Sequence, residues 1–240
     1  MRVLGKRLLA GRFFKCHRGA IAIVLLGSAG FFSMAGTRTM KPASAHVPSM
    51  RSIPRDHYQT WSLFLVCNPK WLASEKSSDL DRLYEDFQNF GRTIGENNLA
   101  VWFWKSDKTI YDSHLAKSVD VERSIKFCKS FKLAPSAGPH LLVVSSYPDL
   151  TTAPRAYADY ALGSKWSKEI SDLLAKLTDE LLLQGKVMSQ PAVAAPSQDR
   201  LWIRLLEATQ RSVIGFGCAW TFKVNAGALA VDLRPCQKSQ

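Results

Sequence analysis

Residues 127–144 read FCKSFKLAPSAGPHLLVV, and the change of pattern inside this stretch decides the fold. Up to Phe131 the apolar residues continue a helical stripe that Val121, Ile125 and Cys128 share, with Ser118 as the expected cap. After Gly138-Pro139 the chain runs into Leu141-Leu142-Val143-Val144, a short continuous apolar run. Such a run suits a strand buried on both faces. A helix that passes through a Pro/Gly loop into a doubly buried strand implies a sheet covered by helices.

The same alternation continues outward on both sides. WSLFLV at 61–66 reads as a buried strand ended by the Cys67-Asn68-Pro69 turn. Ser77 or Ser78 then caps a helix with Asp79 and Asp81 in its first turn and Leu80, Leu83, Tyr84, Phe87 and Phe90 on one stripe. LAVWFW at 99–104 is apolar on both alternating faces, so Trp102 and Trp104 read as core and not as a ligand platform. Tyr160-Ala161-Leu162 suggests a further short strand. Ser164 opens a long helix carrying Trp166, Ile170, Leu173, Leu174, Leu177 and Leu181, which should stop near Gly185. The four basic residues between Arg123 and Lys132 are flanked by Asp120 and Glu122 and read as a solvated helix face.

A Pro/Ala-rich linker over 188–198 separates this α/β domain, residues 58–187, from an extension over 199–240. The extension reads as a helix with Leu201, Trp202, Leu205 and Leu206, followed by a hairpin. Phe216, Cys218, Trp220, Phe222 and Val224 alternate with small or polar residues, as do Leu229, Val231 and Leu233. Pairing Val224 with Leu229, Phe222 with Val231 and Trp220 with Leu233 keeps one apolar face and sets Pro235 opposite Cys218. A bend at Pro235 would bring Cys236 round, so Cys218–Cys236 is the expected disulfide and Cys67–Cys128 its competitor. About 45 residues are too few for an independent core, so the extension should pack on the domain before it.

The chain has 240 residues, 46% of them hydrophobic and 22% charged, with a formal net charge of +12. That charge is unevenly placed. Of the 32 Lys/Arg, ten lie in residues 1–55, which hold no Asp or Glu, leaving 22 Lys/Arg against 20 Asp/Glu in the rest. The near-neutral body removes the electrostatic case for nucleic acid. Within the leader, Arg2, Lys6, Arg7, Arg12, Lys15 and Arg18 precede an uncharged run over residues 19–37. This is the pattern of a signal peptide or signal anchor over residues 1–45, with Ala43-Ser44-Ala45 as a fitting cleavage site; an organellar transit peptide is the alternative. The basic excess places the N-terminus in the cytoplasm and the body on the periplasmic or other extracytoplasmic side, with the membrane met through residues 19–37. Residues 46–57 read as a tether. The five histidines are scattered and no C-x-x-C pair is present, so neither a metal site nor a cofactor is expected.

Strand, helix, strand, helix, strand, short strand and helix over roughly residues 58–186 resembles the thioredoxin-like fold. The resemblance implies a cis-proline at Pro139, just before the third core strand, with Pro139 and His140 lining a substrate groove. It also implies an active-site turn after the first strand, where that family carries C-x-x-C. Here the turn is Cys67-Asn68-Pro69-Lys70, with Lys70 in the resolving position. A dithiol cycle cannot run without the second thiol. The expectation is therefore an α/β thioredoxin-like, three-layer domain with a C-terminal helix plus β-hairpin extension, acting as a membrane-anchored or exported non-catalytic module that binds or assembles a protein partner. The alternatives are a monothiol oxidoreductase using Cys67, with Lys70 lowering its pKa, and a structural subunit of an envelope complex.

A fusion of residues 1–60 to a compartment-sensitive reporter should be exported. A reporter that stays soluble in the cytoplasm would contradict the reading of the leader.

Overall fold

The computed structural model describes residues 44–48, 51–55, 57–105, 118–134, 138–163, 165–187, 198–212 and 221–233. All of them fall in one compact unit, Met40–Gln240. Residues 1–43, with the basic residues and the uncharged run of the expected signal, lie outside the described residues, whereas Ser44 and Ala45 of the expected cleavage site begin β1. Among those residues no helix is long and apolar enough to cross a membrane.

Seven strands form one mixed sheet: β1 (Ser44–Pro48), β2 (Thr60–Val66), β3 (Asn98–Trp104), β4 (Pro139–Val144), β5 (Tyr157–Ala161), β6 (Thr221–Ala226) and β7 (Leu229–Leu233), in the order β1-β3-β2-β4-β5-β6-β7. β3 runs parallel to both β1 and β2, whereas β4, β5, β6 and β7 each pair antiparallel with the strand before them in that order. Five helices complete the described residues: α1 (Pro69–Ser74), α2 (Ser77–Ile94), α3 (Val121–Ser130), α4 (Ser167–Val187) and α5 (Gln198–Ser212).

Every residue of β2, β3 and β4 is buried, as the continuous apolar runs require. Their pleat sends alternate side chains into two cores. Phe64, Val66, Ala100, Trp102, Leu141 and Val143 face α2, α4 and α5. Leu63, Leu65, Leu99, Val101, Phe103, Leu142 and Val144 face α3. On the first face Phe64 stacks on Trp102 at 4.6 Å between ring centroids, and Tyr84 meets Trp102 edge-on at 5.5 Å. Rings of this size each stabilise the fold by about 1.5–3 kcal/mol through area burial, and aromatic pairs add about 0.5–1.5 kcal/mol. On the second face Phe103 stacks on Phe127 at 4.9 Å, which fixes α3 against the sheet.

Several boundaries differ from the sequence reading, each for a local reason. A short helix, α1, starts directly after Cys67, because Asn68 caps it through its side-chain oxygen (3.0 Å from Lys70 N) and Pro69 stands in its first turn. Ser77 is the first residue of α2, with Lys76 in the cap position. The cap of α3 is Asp120, accepting from Arg123 N at 2.9 Å, whereas Ser118 is buried outside the helix. Trp166 is 56% exposed and precedes α4, which runs through Gly185 to Val187. The stretch read as a tether is partly built into the fold: β1 pairs with β3, and Ile53 is only 3% exposed against the second core.

The extension joins the sheet. β6 pairs with β5, the rings of Tyr160 and Phe222 lie 4.4 Å apart, and the Tyr160 hydroxyl meets Thr209 Oγ1 of α5 at 2.9 Å. The hairpin register is two residues away from the expected one. Phe222 pairs with Leu233, Val224 with Val231 and Ala226 with Leu229. Gly227 at φ 62° makes a two-residue turn possible, and such a turn matches the strand twist better than a four-residue loop. A two-residue shift keeps every side chain on its face, so the apolar pattern could not separate the two registers. Cys218 and Cys236 lie outside the described residues.

Helix α2 approaches β3 most closely at Gly91, where an added Cβ would sit 2.5 Å from Ala100 Cβ. Gly91→Ala should therefore destabilise by about 1–3 kcal/mol despite its better helix propensity, with Ala100→Gly in the same chain restoring part of the loss. Urea unfolding of the three variants checks this; a stabilised Gly91→Ala would contradict the packing described.

Candidate functional site

Cys67 sits one residue beyond β2, at the edge where Val66 faces Pro139, the first residue of β4. The turn after β2 and the start of β4 are thus brought together, as two of the expected site residues require. Pro139 is buried, and its carbonyl accepts from Leu162 N at 3.0 Å, tying the loop before β4 to the end of β5. Gly138 stands at φ 77°, and a Cβ there would lie 1.8 Å from the Gly163 carbonyl oxygen. Only glycine fits so close a crossing of two backbones.

Cys67 is bonded to Cys128 of α3, with 5.8 Å between the Cα atoms. The pair that competed with Cys218–Cys236 is thus the disulfide seen among the described residues. Its two cysteines are 4% and 2% exposed, inside the second core. A disulfide sulfur offers no thiolate, so Cys67 in this state cannot act as a nucleophile. Lys70 is exposed on the first turn of α1.

His140 does not line a groove. Consecutive residues of a strand point to opposite faces, and His140 enters the α3 side of the sheet, where it is 1% exposed. Its Nδ1 lies 2.8 Å from Asp159 Oδ1 on β5, and its Nε2 lies 3.2 Å from the Ala134 carbonyl oxygen in the loop after α3. Each ring nitrogen thus has a partner on a different element, one on β5 and one in the loop after α3. Asp159 is itself buried. Sequence reasoning missed this pair, although the signal was present: a histidine and an aspartate each interrupt a buried strand, and buried polar groups need partners.

The displaced pKa values belong to packing elsewhere. Burial pushes Tyr84 up to about 12 and raises Tyr160, while hydrogen bonds from the Thr151 side chain and the Thr151 and Thr152 amides hold Asp149 down. Among the described residues no cluster of three or more His, Cys, Asp or Glu is arranged to hold a metal ion. Comparison with known families, characterised proteins and solved structures finds no match to this chain.

The disulfide closes a loop across a sequence separation of 61. Loop-closure entropy alone makes such a bond worth about 4 kcal/mol. Cys128→Ser should lower the urea-derived stability by roughly that amount relative to the oxidised protein. An unchanged urea midpoint would show that the bond contributes nothing.

Proposed function

We propose that this chain is a thioredoxin-like module that binds or assembles a protein partner, at or beyond a membrane, without turning over disulfides. The observation that carries the reading is the state of Cys67. It is the sole cysteine of the Cys67-Asn68-Pro69-Lys70 turn, and it is spent in a buried bond to Cys128. The run β3-β2-β4-β5, with β2 and β3 parallel and β4 and β5 antiparallel, supports the thioredoxin-like part of the reading. So does the placement of Pro139 beside the end of β2. The basic leader and uncharged run support export or anchoring, and a disulfide suits an oxidising compartment. A monothiol oxidoreductase would first need Cys67 released from Cys128.

In an insulin-reduction assay the full chain should show no activity above the thiol background. Robust turnover that disappears in Cys67→Ser would overturn the non-catalytic reading and establish the oxidoreductase.

A further inference from the structure

The chain after α3 is organised around Cys128. Leu133 N donates to Cys128 O at 2.9 Å and Lys132 N to Lys129 O at 3.1 Å, the two bonds of a Schellman helix stop. The residue such a stop sets in the left-handed region is usually glycine. Here it is Lys132, at φ 56°. A lysine in that conformation is strained, so contacts outside the turn must hold it there. Leu133 packs against the second core, and the next carbonyl, that of Ala134, accepts from His140 Nε2. His140 is in turn held by Asp159. A chain of bonds therefore runs from the buried Asp159 on β5, through the buried His140 on β4, to Ala134, whose neighbour Leu133 is bonded to the carbonyl of Cys128.

We propose that the Asp159–His140 pair is a gate on the Cys67–Cys128 disulfide. This rests on the non-catalytic reading above, since it states what keeps the bond out of thiol exchange. With the gate closed, residues 131–134 stay bonded to the end of α3 that carries Cys128, and both cysteines stay buried from reagent thiolates. With Ala134 released, the strained helix stop opens and the bond becomes accessible. Exchange with dithiothreitol then follows: a reagent thiolate attacks one sulfur, the S–S bond breaks, and the other sulfur leaves as a thiolate and takes a proton. The second reagent thiol closes its ring on the mixed disulfide and frees the first sulfur. Two electrons pass from dithiothreitol to the protein, which gains two thiols.

The test is the rate at which dithiothreitol reduces the bond in the oxidised full chain, read by alkylation and peptide mass. The variant His140→Leu/Asp159→Leu removes both polar partners, so that neither is left buried alone. It should be reduced at least about tenfold faster, at a rate that stays flat in urea below the unfolding transition, as local opening requires. Asp159→Asn keeps a chain of hydrogen bonds through one imidazole tautomer and should stay within about threefold of the unaltered protein. A double variant reduced no faster, or only in step with global unfolding, would overturn the gate. Should the double variant fail to fold, Lys132→Gly decides, because glycine relieves the closed turn and should slow reduction about threefold or more; an unchanged rate would overturn the proposal. Reduction by dithiothreitol is stoichiometric, so its outcome is independent of insulin turnover, and failure of either idea is recognisable separately.

Discussion

β2 lies between a parallel neighbour, β3, and an antiparallel neighbour, β4, and all seven of its residues are buried. The rest of the fold depends on this position. A strand covered on both faces is largely apolar, and its few polar residues need partners, as Thr60 and Ser62 find in Asn98 Oδ1; its two neighbours must supply every ladder bond that water cannot. The parallel pairing to β3 demands a crossover, which α2 provides, and the antiparallel pairing to β4 delivers Pro139 to the end of β2. Cys67 emerges between them. From there one covalent bond reaches α3 on the opposite side from α2, so both helical layers are referred to the same strand.

The strands of this core were legible because each is a short run of bulky apolar residues bounded by Gly, Pro or Asn. WSLFLV, LAVWFW and LLVV all became strands within two residues of their expected limits. The elements that escaped depend on single hydrogen bonds or on tertiary geometry. Six residues of α1 carry no periodicity, and only the Asn68 cap and Pro69 mark them. The hairpin register turned on whether Gly227 would take a positive φ, which the alternating pattern cannot encode. For the site, the turn at Cys67 and its approach to Pro139 were readable from order alone. The partner of His140 was not, because its pairing with Asp159 follows from the register of β4 against β5.

The geometry around Cys67 leaves the turn after β2 without a thiolate. A catalytic cysteine needs an exposed thiolate near positive charge. Cys67 is buried and oxidised, while Lys70, the nearby cation on α1, faces solvent. The C-terminal extension adds two strands and a helix to the sheet's far side and is fixed through Tyr160, Phe222 and Thr209. These additions cover the outer edge of β5 with β6 and make the extension part of one continuous core.

The most direct measurement is non-reducing peptide mapping of the full chain, isolated with free thiols blocked at lysis. The expected result is a cross-linked pair of peptides containing Cys67 and Cys128. Recovery of Cys67 as a blocked free thiol would contradict the account, since the turn after β2 would then present a nucleophile instead of a buried bond.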